Sequence, residues 1–248
     1  MITRLVITDL TRMYHGNVCL AGYTSDRRCV RPVTKSLGIP ENSLYLGGGQ
    51  IISPFSVIEI ELKESDPHPP HTEDTFFELG SISYVREVQD RESVLSWSLF
   101  ENVEKIFEQE IRKDPGYYIL DCQGPRSLGT IRPANIHEVK YESSNEGVWD
   151  YRLGFYDESD KYFRLKIVDL TWQYYCDSLR DEENGPAEIA KRLTRELKKH
   201  KVYIRIGLAR GWKTFPERCY LQITGIYTFP DYLEGRKFAH FSPKPRSI

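Results

Sequence analysis

The chain has 248 residues, 40% of them hydrophobic, and a formal net charge of −2. That is enough apolar material for a real core and too little positive charge for a protein coated evenly in basic residues. The average hides a division, because residues 188–248 carry 14 Lys and Arg against five Asp and Glu. A local basic footprint suits a polyanionic partner, and it equally suits a solvated basic helix followed by ordinary strands. No stretch approaches the ~20 apolar residues of a membrane span, and the N-terminus has no long apolar region. Cys19, Cys29, Cys122, Cys176 and Cys219 are widely spaced with no Cys-x-x-Cys pair. They read as reduced core thiols, so a soluble, cytoplasmic protein is expected.

Residues 4–11, 18–23, 29–33, 57–62 and 76–88 are short alternating runs broken by Gly, Pro, Asn or Asp, and each reads as a strand. Gly47-Gly-Gly-Gln50 lacks the Gly-Lys-Ser/Thr of a phosphate loop and reads as a flexible turn. Glu59-Ile-Glu-Leu-Lys63 contains a Glu-x-Lys, the pattern by which some nucleases place a carboxylate and a lysine beside a scissile phosphate. Asp9 is a conceivable second metal donor, although the tripeptide also fits any solvated strand face. His68-Pro-Pro-His71, with Asp66, Glu73 and Asp74 nearby, superficially offers metal ligands. Extended prolines display side chains without the fixed geometry a site needs, so a solvated turn is expected, with no metal or other cofactor. From about residue 92 to 112, Leu99, Val103, Ile106 and Phe107 recur at helical spacing before Asp114-Pro-Gly. Residues 117–122 then read as a linking strand.

Further along, residues 131–141, 151–156 and 162–172 read as strands. A helix opening at Asn184-Gly-Pro186 follows, with Ile189, Ala190, Leu193 and Leu197 on one side. Lys191, Arg192, Arg195, Lys198 and Lys199 fall mainly on the other. Residues 202–209 and 219–229 complete the set. Five strands with a helix between the third and fourth is the order of an OB-fold, a small Greek-key barrel. The first half reads as a looser version whose helix follows the fifth strand, and Val30-Arg-Pro-Val33 echoes Ile131-Arg-Pro-Ala134. The expected fold is therefore mainly β with two helices (α+β), built as two OB-like barrels. Residues 1–124 hold the first barrel, its helix and the linker strand, and residues 125–248 hold the second.

Several segments resemble a bacterial family of dual OB domain proteins: Cys29-Val-Arg-Pro-Val33, Ile51-Ile-Ser-Pro-Phe-Ser-Val-Ile-Glu59, Asp66-Pro-His-Pro-Pro-His71, Val202-Tyr-Ile-Arg-Ile-Gly-Leu208 and Ile226-Tyr-Thr-Phe-Pro-Asp-Tyr232. The resemblance spans nearly the whole chain. It implies the fold and an association with nucleic acid, and it brings no catalytic residue with it.

Alternation turns the strands into a surface, because successive side chains face opposite sides. Phe163, Leu165 and Ile167 point inward and leave Tyr162, Arg164 and Lys166 outward; Tyr151, Leu153 and Phe155 alternate with Arg152, Gly154 and Tyr156. OB-folds hold oligonucleotides or oligosaccharides on the second and third strands and the loop joining the fourth and fifth. That loop is Arg210-Gly-Trp-Lys-Thr-Phe-Pro-Glu-Arg218, where cations alternate with aromatics. An aromatic face stacks on a base while a neighbouring cation holds a phosphate. Phosphate contact is expected for Arg152, Arg164, Lys166, Arg210, Lys213 and Arg218, and stacking for Tyr156, Tyr162, Trp212 and Phe215. The opposing reading makes Trp212 and Phe215 plugs of a barrel end. Tyr203, Arg205, Tyr220 and Gln222 also alternate against an apolar face, and the pattern leaves open whether they face a ligand or the first barrel.

The expected function is a non-catalytic module for single-stranded or locally opened DNA or RNA. One alternative is a metal-dependent nuclease or nucleic-acid modifying enzyme using Glu59, Glu61 and Lys63. The other is a protein-interaction or small-ligand sensing module with a protein partner or none.

Overall fold

The computed structural model of the chain describes residues 2–35, 38–143, 148–181 and 185–242. Its first half comprises β1 (Ile2–Arg12), β2 (Asn17–Tyr23), β3 (Cys29–Val33), β4 (Ile39–Pro40), β5 (Ser56–Ser65), β6 (Asp74–Phe77) and β7 (Ser83–Glu87). Pairing runs β1–β2–β3, crosses in parallel to β6, returns through β5 and closes on β1. This closed circuit is the OB order, and it joins the two ends of β1 to different partners: residues 2–6 pair with β5 and residues 6–12 with β2. The run expected as one strand over 76–88 is two, β6 and β7, which pair with β5 in different registers. Alternating Leu5, Ile7, Val18, Leu20, Ile58 and Ile60 fill the barrel.

The helix expected over 92–112 is also divided, into α1 (Arg91–Ser96) and α2 (Val103–Phe107), with β8 (Leu99–Phe100) between them. Each helix has its own N-cap. Asp90 accepts from the Ser93 N–H and Asn102 from the Lys105 N–H, both at 3.0 Å, so the segment restarts where one continuous helix would ignore Asn102. Val103, Ile106 and Phe107 keep their helical spacing and enter the second core.

The second half comprises β9 (Arg112–Lys113), β10 (Tyr117–Leu120), β11 (Leu128–Ile131), β12 (Asn135–Ser143), β13 (Trp149–Tyr156), β14 (Tyr162–Ile167), α3 (Leu170–Asp181), α4 (Pro186–Lys199), β15 (Lys201–Leu208) and β16 (Arg218–Phe229). Pairing runs β12–β13–β14, crosses in parallel to β16, then passes through β15 to β11. The strand expected over 131–141 is interrupted at Pro133, which has no N–H to give a ladder. Its two pieces, β11 and β12, make the two pairings that β1 makes unbroken in the first barrel.

The strand expected over 162–172 ends at Ile167, and α3 follows. Asp169 caps it, its Oδ1 accepting from the Thr171 and Trp172 N–H groups at 2.9 and 3.3 Å. Two helices thus lie between β14 and β15, and the described residues hold four α-helices in place of the expected two. Asn184, expected at the start of α4, lies outside the described residues. Helix α3 is buried on nearly every side: Leu170 and Tyr174 join the first core, while Trp172, Tyr175, Cys176 and Leu179 join the second. A helix that supplies apolar side chains to two cores sits between the two barrels. After β16, residues 230–242 cross back over both barrels, Tyr232 and Leu233 packing in the second core and Phe238 in the first.

Among the described residues, no helix is long and apolar enough to cross a membrane. All five cysteines are free; Cys176 and Cys219 are buried as expected of core thiols, but Cys122 is exposed.

Candidate nucleic-acid interface

The two barrels meet through polar chemistry that uses up one potential binding face. Arg205 on β15 is fully buried, and its Nε donates to both carboxylate oxygens of Asp9 at 3.1 Å while Nη2 donates to Oδ2 at 2.7 Å. Its Nη1 donates to Tyr23 Oη, Ser98 Oγ and Thr130 Oγ1 at 2.9, 2.8 and 3.1 Å. Asp9 takes two more hydrogen bonds, from Thr8 and Thr224. A charge pair out of water survives only when it is satisfied in this way. Nearby, Arg31 donates to Asp74 at 2.6 Å, Arg210 pairs with the same carboxylate, and Glu73 accepts from the N–H and hydroxyl of Ser127. Ala21, Tyr23, Arg31 and Asp74 are buried as a result. The outer face of β2 and β3, where an OB barrel ordinarily takes its ligand, is covered by the second barrel.

These contacts separate the residues of one alternative and correct one expectation. Asp9 is committed to Arg205, whereas Glu59 pairs with Arg4 and Lys63 with Glu78 on the barrel exterior, so the arrangement suggested for a nuclease is not assembled. The His68–His71 segment is not a solvated turn throughout, since His71, Glu73 and Asp74 are buried. Burial, with Arg31 and Arg210 adding to it, lowers the His71 pKa to about 2. Among the described residues, no group of three or more His, Cys, Asp and Glu is placed to hold a metal ion.

The corresponding face of the second barrel is open. Phe163, Leu165 and Ile167 are buried, and the opposite sides of β12, β13 and β14 form rows across the sheet. Asn135 stands opposite Tyr156 and Tyr156 opposite Tyr162; Glu138, Gly154 and Arg164 form the next row; Lys140, Arg152, Lys166 and Gln222 form the third. Gly154 leaves room for its neighbour, for a Cβ there would come 2.6 Å from the Tyr162 hydroxyl. His137, displaced by a bulge in β12, sets its ring edge-on to Tyr162 at 5.5 Å and to Tyr156 at 6.2 Å. Arg152 pairs with Asp150, and Lys140 approaches Glu142 at 3.7 Å. Arg164 and Lys166 are exposed, and among the described residues no carboxylate pairs with either.

The loop between β15 and β16 divides by role. Trp212 and Phe215 are 49% and 38% exposed, so neither plugs a barrel end. The Phe215 N–H donates to the Trp212 carbonyl at 2.9 Å. The tight turn depends on Gly211, where a Cβ would fall 2.0 Å from the Pro216 carbonyl oxygen. Lys213 is exposed at the tip. Arg210 holds Asp74, and Arg218 lies over the Phe215 ring at 4.1 Å while donating to Asp114 at 3.2 Å, so both arginines brace the loop. Trp212 also meets Tyr14 of the first barrel edge-on at 5.7 Å. Strand β10 pairs with residues 218–220 of β16 and β14 with residues 222–223, so β10 intervenes between the loop and the open strand face.

The sequence profile of the dual OB-containing domain family matches residues 4–226. The chain belongs to that family. No curated protein matches it. In this dual OB protein the match stops inside β16, and the segment that crosses back over both barrels lies beyond it. Sequence reasoning missed His137, Lys140 and Tyr14 as neighbours of the candidate residues. The signal for the first two was the alternation of β12, hidden until the strand is broken at Pro133; Tyr14 had no local signal, because a contact between barrels brings it to Trp212.

Proposed function

We propose that this dual OB protein binds single-stranded nucleic acid across the outer face of β12, β13 and β14. The observation that carries the reading is a set of basic and aromatic rows on the one barrel whose ligand face is left uncovered. Tyr156 and Tyr162, with His137 beside them, offer rings to unstacked bases; a duplex keeps its bases stacked and has nothing to give them. Arg164 and Lys166, with Arg152 behind them, take the phosphates. The exposed Trp212, Lys213 and Phe215 offer a second contact, while Arg210 and Arg218 act as positioning residues for that loop.

A salt-titrated binding screen against single- and double-stranded DNA and RNA tests the reading. Affinity for single strands is expected to exceed that for duplexes and to fall steeply with salt. Arg164→Ala with Lys166→Ala should flatten the log–log slope by about 1.4, which is ~0.7 for each lost phosphate. No binding of the wild type to any strand at low salt, or a slope untouched by the double substitution, would refute it.

A further inference from the structure

The interruption that splits the first strand of the second barrel opens a groove of about 400 Å³ at its edge, a size that fits a nucleotide-scale ligand. Among the described residues its lining includes Arg132, Asn135, Lys198, His200 and Lys201 and no carboxylate. His200 is held by Glu196 and Lys201 by Glu92, both from beside the groove. Arg132 lies over the Tyr203 ring at 6.0 Å and within electrostatic reach of Glu92. Lys198 is exposed, and among the described residues neither it nor Arg132 forms an ion pair. A lysine at the end of α4 complements the helix dipole wherever its side chain points. Here it shares a concave, positively charged surface with an arginine from the opposite wall.

Continuity gives the groove its partner. Asn135 lines it and is also the first member of the row Asn135–Tyr156–Tyr162 on the open strand face. Directly opposed residues on neighbouring strands project to the same side of a sheet. One surface therefore runs from Lys166 and Arg164, past Tyr162 and Tyr156, over Asn135 and into the groove.

We infer that the groove at the broken strand is a phosphate subsite, taking the backbone of a single strand as it leaves the Tyr156–Tyr162 platform. The inference rests on the strand-face reading and extends its footprint beyond the strands and loop on which that reading stands. Arg132 and Lys198 supply the charge, and Asn135 offers an amide at the crossing.

The test uses the full chain and fluorescein-labelled oligothymidylates of about 4 and about 16 nucleotides, the span of sites on single OB folds. Arg132→Ala with Lys198→Ala is expected to leave binding of the short strand and the thermal unfolding profile unchanged. It removes the affinity advantage of the long strand and lowers that strand's salt slope by about 1.4. Arg164→Ala with Lys166→Ala weakens both lengths. If the groove variant binds the long strand with unchanged affinity and slope while the strand-face variant is impaired, the groove inference is wrong and the strand-face reading stands. If the wild type binds neither strand, both fall.

Discussion

Replacing Asp9 by Leu attacks the contact that holds the barrels together. Arg205 is fully buried and directs its Nε and Nη2 hydrogens at that one carboxylate, so the substitution leaves a guanidinium without a counter-charge in a site closed to water. Breaking a buried pair from one side costs about 3–5 kcal/mol, which for a chain of this size lowers the melting midpoint by about 6–20 °C. The Thr8 and Thr224 hydroxyls lose their acceptor as well, so the upper end of that range is expected. Adding Arg205→Met removes the orphaned charge. Ser98 and Thr130, 3.0 Å apart, then keep each other as partners, and the double variant should be more stable than Asp9→Leu alone. Urea and thermal unfolding of wild type, both single variants and the double variant complete the cycle. A loss below about 1 kcal/mol for Asp9→Leu, or a double variant as unstable as the two single losses added, would refute the account of the interface.

Two further outcomes are expected. Trp212→Ala with Phe215→Ala should weaken single-strand binding by about 1–3 kcal/mol per stacked base while cooperative unfolding is retained, because both rings are largely outside the cores; loss of the unfolding transition would mark them as structural. His71 stays neutral in the fold, with its pKa lowered to about 2 from 6.5. The unfolded chain takes up a proton below about 6.5 that the folded chain refuses, so stability present above that pH is lost as pH falls toward 2, by about 2 kcal/mol at pH 5. His71→Leu should remove this part of the acid sensitivity, and parallel pH–stability curves for the two proteins would contradict it.

Much of the architecture was legible because both barrels follow period-two alternation. The inward set of β14 and the outward Arg152, Tyr156, Tyr162, Arg164 and Lys166 follow from that period alone. Helix α3 was hidden for a physical reason. Its apolar residues are divided between two cores, Leu170 and Tyr174 in one and Trp172, Tyr175, Cys176 and Leu179 in the other, so they form no single stripe, and its aromatics imitate a strand. The roles of Arg210 and Arg218 were hidden differently, since their partners Asp74 and Asp114 are remote in sequence and only the packed chain shows which cations are already spent. Asp9 and Arg205 stand 196 positions apart, and no local pattern joins them.

The returning segment after β16 ties the interior of the first barrel to a late part of the chain. Strands β1 to β7 leave the ribosome first, yet the core they enclose also contains Leu170, Tyr174 and Phe238. Domains that hold their own core can fold as they emerge; here the apolar surface that Leu170, Tyr174 and Phe238 cover has no partner until those residues are made.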